Sequence, residues 1–452
     1  MGTLRLLLVS GNTEMFPMAV YPVALAQLAA AVTRAGYPVR QYDVQVHGQG
    51  GLAGVLDSYA PDLVGVSIRN IDNVNSQAIR TYLDEYRDLV TLIRGRTKAR
   101  IVLGGSGFSL FPREILEFLG ADFGVVGPGG EALCGLLEAL EGGRELSAVP
   151  GLIWPGGASP RTAPGNGLAA APLHDPDIVA HYWHKGGVIG IQTKRGCPRD
   201  CSYCTYPLIE GRSVQYYDPG VVVDEMERLH RDSGVGYFFV CDSLFNLSPG
   251  HEIAFAREIM NRELAVSWGA FFAPVGIERE YLATLKKSGL CHMEFGTDSL
   301  SEKMLASYRK GFAVEDVLRA SDLCDEQGIH AAHYIMFGGP GETLDSVRET
   351  VANAARLKRS VVFPLAGVRV YPGTAVYQTG LDEGLDLKGA NPFRPDFYVA
   401  PGLDLSGIWR LIDEGKNGAV RWLLPATHAF YIPFVNRLRE RGYKGPLWEL
   451  LL

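Results

Sequence analysis

Short apolar runs alternate with segments of helical periodicity along most of this sequence, and this alternation restricts the fold to the α/β class. In the first part of the chain, helical segments such as Val23–Ala35 separate the strand candidates. Because strands joined through helices pair in parallel, this part is predicted to form a doubly wound parallel sheet. Its predicted strands are Leu4–Val9, Val39–Val44, Leu63–Ile68, Ile101–Leu103 and Phe123–Val126.

A second alternating series begins at Val188, with helical segments such as Val221–Arg231 and Val314–Glu326 between its strands. Six strands separated by helices predict a partial (β/α)6 barrel, whose functional groups belong at the carboxyl ends of the strands. The predicted strands are Val188–Thr193, Tyr237–Val240, Val266–Ala270, His292–Gly296, Ala331–Phe337 and Ala366–Val370.

The chain has 452 residues, which is enough for about three domains. Residues 1–140 are predicted to be the doubly wound domain, 141–185 a linker rich in Gly, Pro, Ala and His, and 186–380 the barrel. Residues 381–452 are predicted to form a small, mainly helical region. Its aromatic residues either close over the barrel mouth and shape a substrate pocket or form only a small core: Trp409, Trp422, Phe430, Tyr431 and Phe434.

The composition narrows the function classes. Hydrophobic residues make up 47% and charged residues 21%, which excludes a disordered chain. The formal net charge of -7 argues against a general grip on nucleic-acid phosphates. The sequence has no apolar run of membrane-spanning length and no secretion signal at its start. A cytoplasmic protein that binds a small molecule or a peptide, and neither nucleic acid nor membrane, is therefore expected.

Three of the seven cysteines, Cys197, Cys201 and Cys204, are closely spaced directly after the first strand of the second series. Three thiolates in one loop can hold an iron-sulfur cubane and leave one of its four irons open to another ligand. A structural zinc site would need a fourth Cys or His nearby, and none is present at that spacing. The other four cysteines are predicted to be buried core thiols: Cys134, Cys241, Cys291 and Cys324.

The CxxxCxxC spacing, with Tyr203 before its last cysteine, resembles that of the radical S-adenosylmethionine superfamily. The resemblance implies that Cys197, Cys201 and Cys204 hold a 4Fe-4S cluster. It also implies that the amino and carboxylate groups of S-adenosylmethionine bind the open iron. Reductive cleavage would then give a 5'-deoxyadenosyl radical, which needs an external electron donor such as flavodoxin or ferredoxin.

Later segments resemble motifs of the same superfamily. Cys241–Asn246 is similar to the acidic segment after the second barrel strand, and Glu294–Ser299 to its Gly-x-Glu-Ser segment. Phe337–Thr343 resembles a glycine-rich loop, and Tyr371–Thr374 a strand end of the family. The resemblance implies that S-adenosylmethionine is bound by Tyr203, Asp242, Ser243, Asn246, Asp298, Ser299 and Tyr371.

A doubly wound domain ahead of such a barrel resembles the cobalamin-binding branch of the superfamily. The first domain lacks the Asp-x-His-x-x-Gly signature of an axial histidine. On this resemblance Arg69 is hypothesised to block the lower axial position of cobalt. The resemblance implies a Rossmann-like cobalamin site at the strand ends, formed by Ser10, Gly11, Ser67, Arg69, Asn70, Gly104, Gly105, Ser106, Gly107, Gly127, Gly129 and Glu131.

The resemblance implies a cobalamin-dependent methyltransferase that acts on a carbon of a small-molecule or peptide intermediate through the 5'-deoxyadenosyl radical and methylcobalamin. A radical cyclisation or rearrangement without methyl transfer would share every motif. A methylthiotransferase is disfavoured, because Cys134 is the only cysteine before Cys197. A corrinoid carrier or metal sensor would leave the barrel motifs without a use.

No residue beyond the cluster cysteines is assigned a catalytic role from the sequence. Three side chains are within predicted reach of a pocket at the barrel rim: Tyr206, Arg212 and His333.

Overall fold

The computed structural model describes residues 3–15, 18–161, 171–387, 391–416, 420–425 and 428–452. The strands are β1 (Leu6–Ser10), β2 (Val39–Asp43), β3 (Leu63–Ser67), β4 (Arg100–Gly104), β5 (Phe123–Val125), β6 (Leu152–Trp154), β7 (Gly157–Ala158), β8 (Ile189–Ile191), β9 (Lys194–Arg195), β10 (Gln215–Tyr216), β11 (Tyr237–Val240), β12 (Ser267–Phe272), β13 (Leu290–Asp298), β14 (His330–Phe337), β15 (Ser360–Ala366), β16 (Val368–Arg369), β17 (Phe397–Tyr398) and β18 (Arg421–Trp422). The helices are α1 (Val23–Arg34), α2 (Val44–Tyr59), α3 (Leu83–Arg96), α4 (Pro112–Leu119), α5 (Gly129–Leu140), α6 (Pro176–Lys185), α7 (Tyr206–Ile209), α8 (Pro219–Ser233), α9 (Pro249–Asn261), α10 (Arg279–Lys287), α11 (Glu302–Ser307), α12 (Val314–Gln327), α13 (Leu344–Ala354), α14 (Ala375–Asp382), α15 (Leu405–Gly415) and α16 (His428–Glu440).

The first sheet has the strand order β2-β1-β3-β4-β5-β6-β7. Strands β1 to β5 are parallel, and each side of them is covered by helices. Leu6 and Leu8 of β1 share a core with α1 and α5, whereas Leu7 and Val9 share another with α2, α3 and α4. Burial on both faces explains why four successive residues of β1, from Leu6 to Val9, are all apolar. The predicted doubly wound domain is confirmed.

The sheet extends further along the chain than the sequence pattern indicates. Strand β6 pairs antiparallel with β5, and β7 pairs antiparallel with β6, although residues 141–185 are predicted as a linker. These strands have three and two residues, which is too short for a periodic signal. The same stretch contains α6, which is preceded by its N-cap residue Asp175, whose carboxylate accepts hydrogen bonds from the first-turn backbone.

The second sheet is parallel throughout, with the order β18-β15-β14-β13-β12-β11-β8. Its helices α8, α9, α10 and α12 contribute to one large apolar core with the outer side of the strands. The predicted partial barrel is confirmed, and the short β18 adds a seventh strand at its open edge.

The sixth barrel strand lies earlier than predicted. The structure places it at Ser360–Ala366, whereas Ala366–Val370 is the predicted range. Pro364 hides the strand in the sequence, since proline disfavours central strands. It is tolerated because β18 pairs only with Val361 and Val362, which leaves β15 an edge strand at Pro364. The chain then bends at Gly367, where φ is +83°, and β16 pairs antiparallel with β17.

The described elements after residue 381 pack mainly against the edge and the floor of the barrel. Trp409 and Trp422 lie against the apolar core shared by α13 and α15, and Phe434 is exposed. The side chains of Phe430 and Tyr431 lie outside the described residues. A substrate-capping role for residues 381–452 therefore stays a prediction. None of the helices in the described ranges has the length and apolar character needed to span a membrane.

A polar cluster closes the amino-terminal end of the barrel, and we call it the barrel floor: Tyr237, Cys291, His292, Glu294 and Glu449. The Tyr237 hydroxyl lies 2.6 Å from Nδ1 of His292, 3.1 Å from a Glu449 carboxylate oxygen and 2.9 Å from the Cys291 sulfur. Glu449 comes from the last turn of the chain, so the carboxyl terminus plugs the barrel from below. The hydroxyl fills the centre of this group, which makes it a hydrogen-bond network and not a vacant cation site.

Glu294 gives the barrel floor a predicted pH dependence. Burial raises its pKa from the usual 4.5 to about 7, and hydrogen bonds from Tyr334 and Trp448 oppose the shift. The folded state therefore holds a proton that the unfolded chain releases, and stability falls as the pH rises from 4.5 through 7. The variant Glu294→Gln has no such carboxyl. We therefore expect its free energy of unfolding, relative to that of the native chain, to be about 2–3 kcal/mol higher at pH 8 than at pH 5.

Melting temperatures of the two proteins at pH 5 and pH 8 measure this difference. The exposed Glu280→Gln variant is the control and should give the same difference from the native chain at both pH values. A Glu294→Gln difference that does not change with pH would contradict the assignment.

Candidate functional site

The three predicted cluster cysteines lie in one loop, residues 196–214, at the carboxyl end of β8. The antiparallel pair β9 and β10 closes the base of this loop. Within it, the Cys197 amide donates to the Gly211 carbonyl oxygen at 3.1 Å, and the Cys204 amide to that of Cys201 at 3.1 Å. Gly196 has a φ of +88°, and a Cβ there would lie 2.1 Å from the Ser213 carbonyl oxygen. The loop is therefore tightly folded and presents its cysteines together.

The spacing of the sulfur atoms separates a cluster from a single metal ion. A tetrahedral zinc ion with Zn–S bonds of ~2.3 Å brings its sulfur ligands to within about 3.8 Å of one another. Among the described residues, the three sulfurs are not all within 4.8 Å of one another. Thiolates held further apart suit the larger iron-sulfur cubane, so the donor set fits a 4Fe-4S cluster.

Tyr203 and Asp298, both predicted to contact S-adenosylmethionine, meet beside the cluster loop. The Tyr203 hydroxyl donates to Asp298, and Lys310 Nζ lies 2.5 Å from the same carboxylate. Asp298 has a φ of +59°, which a non-glycine residue adopts only when its surroundings hold it there. Burial raises the pKa of the Cys201 thiol, and the Lys310 ammonium opposes that shift.

Lys310 is thus a buried cation at the cluster that the sequence did not reveal. It follows α11 and comes more than a hundred residues after the cysteines, and no spacing motif marks it.

Three other predicted S-adenosylmethionine ligands make contacts within the protein. Both carboxylate oxygens of Asp242 are engaged, by the Thr193 side chain and amide and by Lys194. Asn246 joins two backbone carbonyls to the Ala273 amide. Ser299 bonds to Thr350 at 2.9 Å. These side chains hold strand ends in place, and their predicted contact with S-adenosylmethionine is not tested.

The remaining two predicted ligands lie on either side of the cluster loop. Ser243 Oγ is 3.4 Å from the Gly196 carbonyl oxygen. Tyr371 lies where the two domains meet, against Phe111 of the first domain. Next to it, Arg369 forms a buried ion pair of 2.9 Å with Asp72, which fastens the loop after β3 to the barrel.

A cavity of about 800 Å³ lies between the carboxyl ends of the first sheet and the barrel. Three residues of the predicted cobalamin set are not part of the cavity lining. Gly11 and Gly107 are packed against neighbouring residues, and the Asn70 side chain donates a hydrogen bond to Asn12. The predicted cobalamin residues that line the cavity are Ser10, Ser67, Arg69, Gly104, Gly105, Ser106, Gly127, Gly129 and Glu131.

The first-domain wall of this cavity fits a broad ligand that carries hydrogen-bond acceptors. Gly105 has a φ of +104°, and a Cβ there would lie 2.5 Å from the Ile68 carbonyl oxygen, so only glycine permits this close turn. Asn12 also lines the cavity, and its buried Nδ2 has no hydrogen-bond partner among the residues that the structure describes. A buried amide donor without a partner is costly unless a ligand supplies the acceptor. The amide-fringed corrin of cobalamin meets both requirements.

The barrel side of the same cavity carries Tyr206, one of the three side chains predicted to reach a pocket, and the partly buried Cys241, which is predicted above to be a buried core thiol. Tyr206 is 40% exposed, and it lines the cavity together with Arg195, Glu210 and Cys241. Glu210 Oε2 accepts a hydrogen bond of 3.1 Å from the Gly196 amide, and burial raises the pKa of this carboxyl. Tyr206 and Glu210 follow Cys204 directly, so the cluster loop itself forms one wall of the cavity.

The other two side chains placed near a pocket by prediction lie elsewhere. Arg212 is exposed and pairs with Asp200 at 2.7 Å. His333 is fully buried, where its Nδ1 lies 2.8 Å from Thr297 Oγ1. Burial lowers the pKa of His333 to about 3, so it remains neutral inside the barrel wall.

Comparison with known families agrees with this division of the chain. The model of the Radical SAM superfamily matches residues 191–354, and that of the B12 binding domain matches residues 11–137. Tryptophan 2-C-methyltransferase from Streptomyces laurentii is 26% identical, over 99% of this chain and 95% of that enzyme. Anaerobic magnesium-protoporphyrin IX monomethyl ester cyclase from Rubrivivax gelatinosus is 29% identical, over 55% of this chain and 47% of the cyclase.

The fold of the whole chain also matches a solved structure. The radical S-adenosylmethionine methyltransferase TsrM from Kitasatospora setae, bound to tryptophan and an S-adenosylmethionine analogue, superposes with a TM-score of 0.86 at 27% identity, covering 98% of this chain and 97% of that one. A second TsrM structure, with cobalamin and a [4Fe-4S] cluster, gives 0.85. With a B12 binding domain, a radical SAM domain and this fold, the chain belongs to the cobalamin-binding branch of the radical S-adenosylmethionine enzymes.

Proposed function

We propose that this chain is a cobalamin-dependent radical S-adenosylmethionine methyltransferase that methylates a carbon of a small molecule. The observation that carries the proposal is the cavity of about 800 Å³, which is bounded by the predicted cobalamin residues on one side and by the cluster loop on the other. A corrinoid on the first wall and a substrate on the second would face each other across one enclosed space. Methyl transfer needs that proximity.

The chain's own residues would hold both cofactors. Cys197, Cys201 and Cys204 would bind the cluster, with Lys310 and Asp298 beside it. The turn at Gly105 and the free amide of Asn12 would support the corrinoid. When bound, cobalamin supplies methyl-group transfer, and the cluster with S-adenosylmethionine supplies radical chemistry.

The barrel side of the cavity fits a small zwitterion with an aromatic group. Arg195 and Glu210 offer one positive and one negative charge, and the Tyr206 ring offers a flat apolar face. Such a set would orient a carboxylate, an ammonium and a ring. Since the enzyme from Streptomyces laurentii acts on tryptophan, L-tryptophan is the first substrate to test.

The experiment is anaerobic reconstitution with iron, sulfide and hydroxocobalamin, followed by incubation with S-adenosylmethionine, a reductant and L-tryptophan. We expect bound cobalamin, S-adenosylhomocysteine and a methylated product by mass spectrometry. Radical cyclisation is the second candidate, and the likeness to the cyclase favours it. Formation of 5'-deoxyadenosine without S-adenosylhomocysteine would overturn methyl transfer and support that candidate.

Arg69 provides a separate prediction about the corrinoid. It follows the end of β3 and lines the cavity, and its cation opposes the burial that raises the pKa of Cys241 to about 12. A corrinoid bound in this cavity would therefore lie next to Arg69. We expect Arg69→Ala to change the visible spectrum of bound cobalamin, because the guanidinium would no longer keep water from the corrinoid.

Arg34→Ala is the matched control for this prediction. Arg34 lines the same cavity but lies at the end of α1, away from the strand ends, so the spectrum should not change. An Arg69→Ala protein whose bound cobalamin has the native spectrum would remove the axial role.

A further inference from the structure

A second cavity, of about 440 Å³, connects the cluster loop to the protein surface. Cys201 and Cys204 line it, and so do the exposed side chains of Arg212 and Arg309. It shares none of its lining with the cavity between the two domains. Cys201 and Cys204 thus face an opening that is separate from the cavity between the two domains.

The rim of this opening is positively charged. Arg212 and Arg309 are 59% and 55% exposed, and both pair with Asp200, at 2.7 Å and 3.0 Å. Asp200 lies between the two guanidinium groups and offsets one of their two positive charges. This local positive charge stands out in a chain with a net charge of -7.

The same rim also contains a small exposed apolar surface. Leu208 lines the second cavity and is 36% exposed, and Pro207 lies beside it. Gln378, which is exposed on α14, also lines this cavity. An apolar centre with a charged periphery is the usual composition of a transient protein interface.

We infer that this rim, formed by Arg212, Arg309, Leu208 and Gln378, is the docking site of a small acidic protein that delivers single electrons at low potential. The inference rests on the proposed function, because reductive cleavage of S-adenosylmethionine consumes an electron. In each transfer the donor is oxidised by one electron and the cluster is reduced by one, and no proton or group moves. Complementary charge would steer the donor to this opening, which Cys201 and Cys204 line.

The test uses the reconstituted full chain and reduced flavodoxin as the acidic donor. Two quantities are measured anaerobically at low ionic strength: the Kd of the complex, and the rate of cluster reduction by flavodoxin compared with dithionite. We expect the Arg212→Glu and Arg309→Glu double variant to weaken binding and slow reduction by flavodoxin at least tenfold, with dithionite reduction unchanged. Added salt should shrink the difference.

Two further variants keep the test decisive. Gln378→Glu places a negative charge on the rim without disturbing the Asp200 pairs, and it should also slow flavodoxin. Arg231→Glu changes an arginine that is 62% exposed at the end of α8, and it should behave as the native chain.

The inference would be overturned if the rim variants bound flavodoxin with the Kd of the native chain. It would also be overturned if dithionite reduction were slowed as much as flavodoxin reduction, or if flavodoxin did not bind the native chain. Because neither readout involves methyl transfer, an inactive methyltransferase would still give a clear answer about the rim.

Discussion

Cys197→Ala is expected to reduce the iron and sulfide content of the reconstituted protein to background and to abolish S-adenosylmethionine cleavage. Cys197 is 6% exposed and lies at the start of the tightly folded loop, where no other described thiol can replace it. Two remaining thiolates cannot hold a cubane that needs three. Cobalamin binding should persist, because its predicted residues lie in the other domain. Iron analysis and visible absorbance measure both cofactors in one sample.

The matched control is Cys291→Ala. This thiol is in the barrel floor, 2.9 Å from the Tyr237 hydroxyl, at the opposite end of the strands from the cluster loop. Its removal should leave the cluster content at the native level. Native iron content in Cys197→Ala would refute the ligand assignment, and loss of iron in Cys291→Ala would show that the loss is not specific.

Lys194→Met is expected to lower the free energy of unfolding of the barrel by about 3–5 kcal/mol. The side chains of Lys194 and Asp242 are each 1% exposed, and their charged groups are 3.0 Å apart. Removing the cation leaves the Asp242 carboxylate buried without a countercharge. Lys194 Nζ also donates to the Phe245 carbonyl oxygen at 2.6 Å, and that acceptor would lose its partner. Urea unfolding followed by tryptophan fluorescence measures the change.

Two comparisons make this result specific. The double variant Lys194→Met with Asp242→Asn removes both charges while keeping an acceptor for the Thr193 amide, so part of the lost stability should return. Arg279→Met breaks an ion pair whose side chains are 62% and 45% exposed, and it should cost about 0–1 kcal/mol. If Lys194→Met has the same urea midpoint of unfolding as the native chain, the ion pair of Lys194 and Asp242 does not stabilise the barrel. Asp242 would then be free to bind S-adenosylmethionine.

The prediction for Cys197 could be made from the sequence, whereas the prediction for Lys194 needed the tertiary structure. Cys197, Cys201 and Cys204 could be identified from spacing, because all three come from one short loop and a local sequence fixes a local loop. The Lys194 contact with Asp242 joins residues 48 positions apart, and only the pairing of β8 with β11 brings them together. An acidic residue after a strand looks the same in the sequence whether it faces a ligand or a neighbouring strand.

The same distinction applies to the cavity residues. Tyr206, Arg212 and His333 had equal standing in the sequence, yet one lines the cavity between the domains, one lies on the surface and one is sealed in the barrel wall. The predicted position of the sixth strand was wrong because proline is acceptable only at the edge of a sheet. The sequence does not show that the short β18 leaves such an edge open at Pro364.

The sequence by itself determined the two alternating series of strands and helices, the order of the domains and the close spacing of the three cysteines that are predicted to bind the cluster. Each of these follows from periodicity or spacing within a few residues. The tertiary structure alone decided which polar side chains face the shared cavity, that Lys310 lies beside Tyr203 in the cysteine loop, and that the segment Leu447–Leu451 closes the floor of the barrel. Those features depend on contacts between residues far apart in the chain, which exist only once the strands are in register and the two domains are packed together.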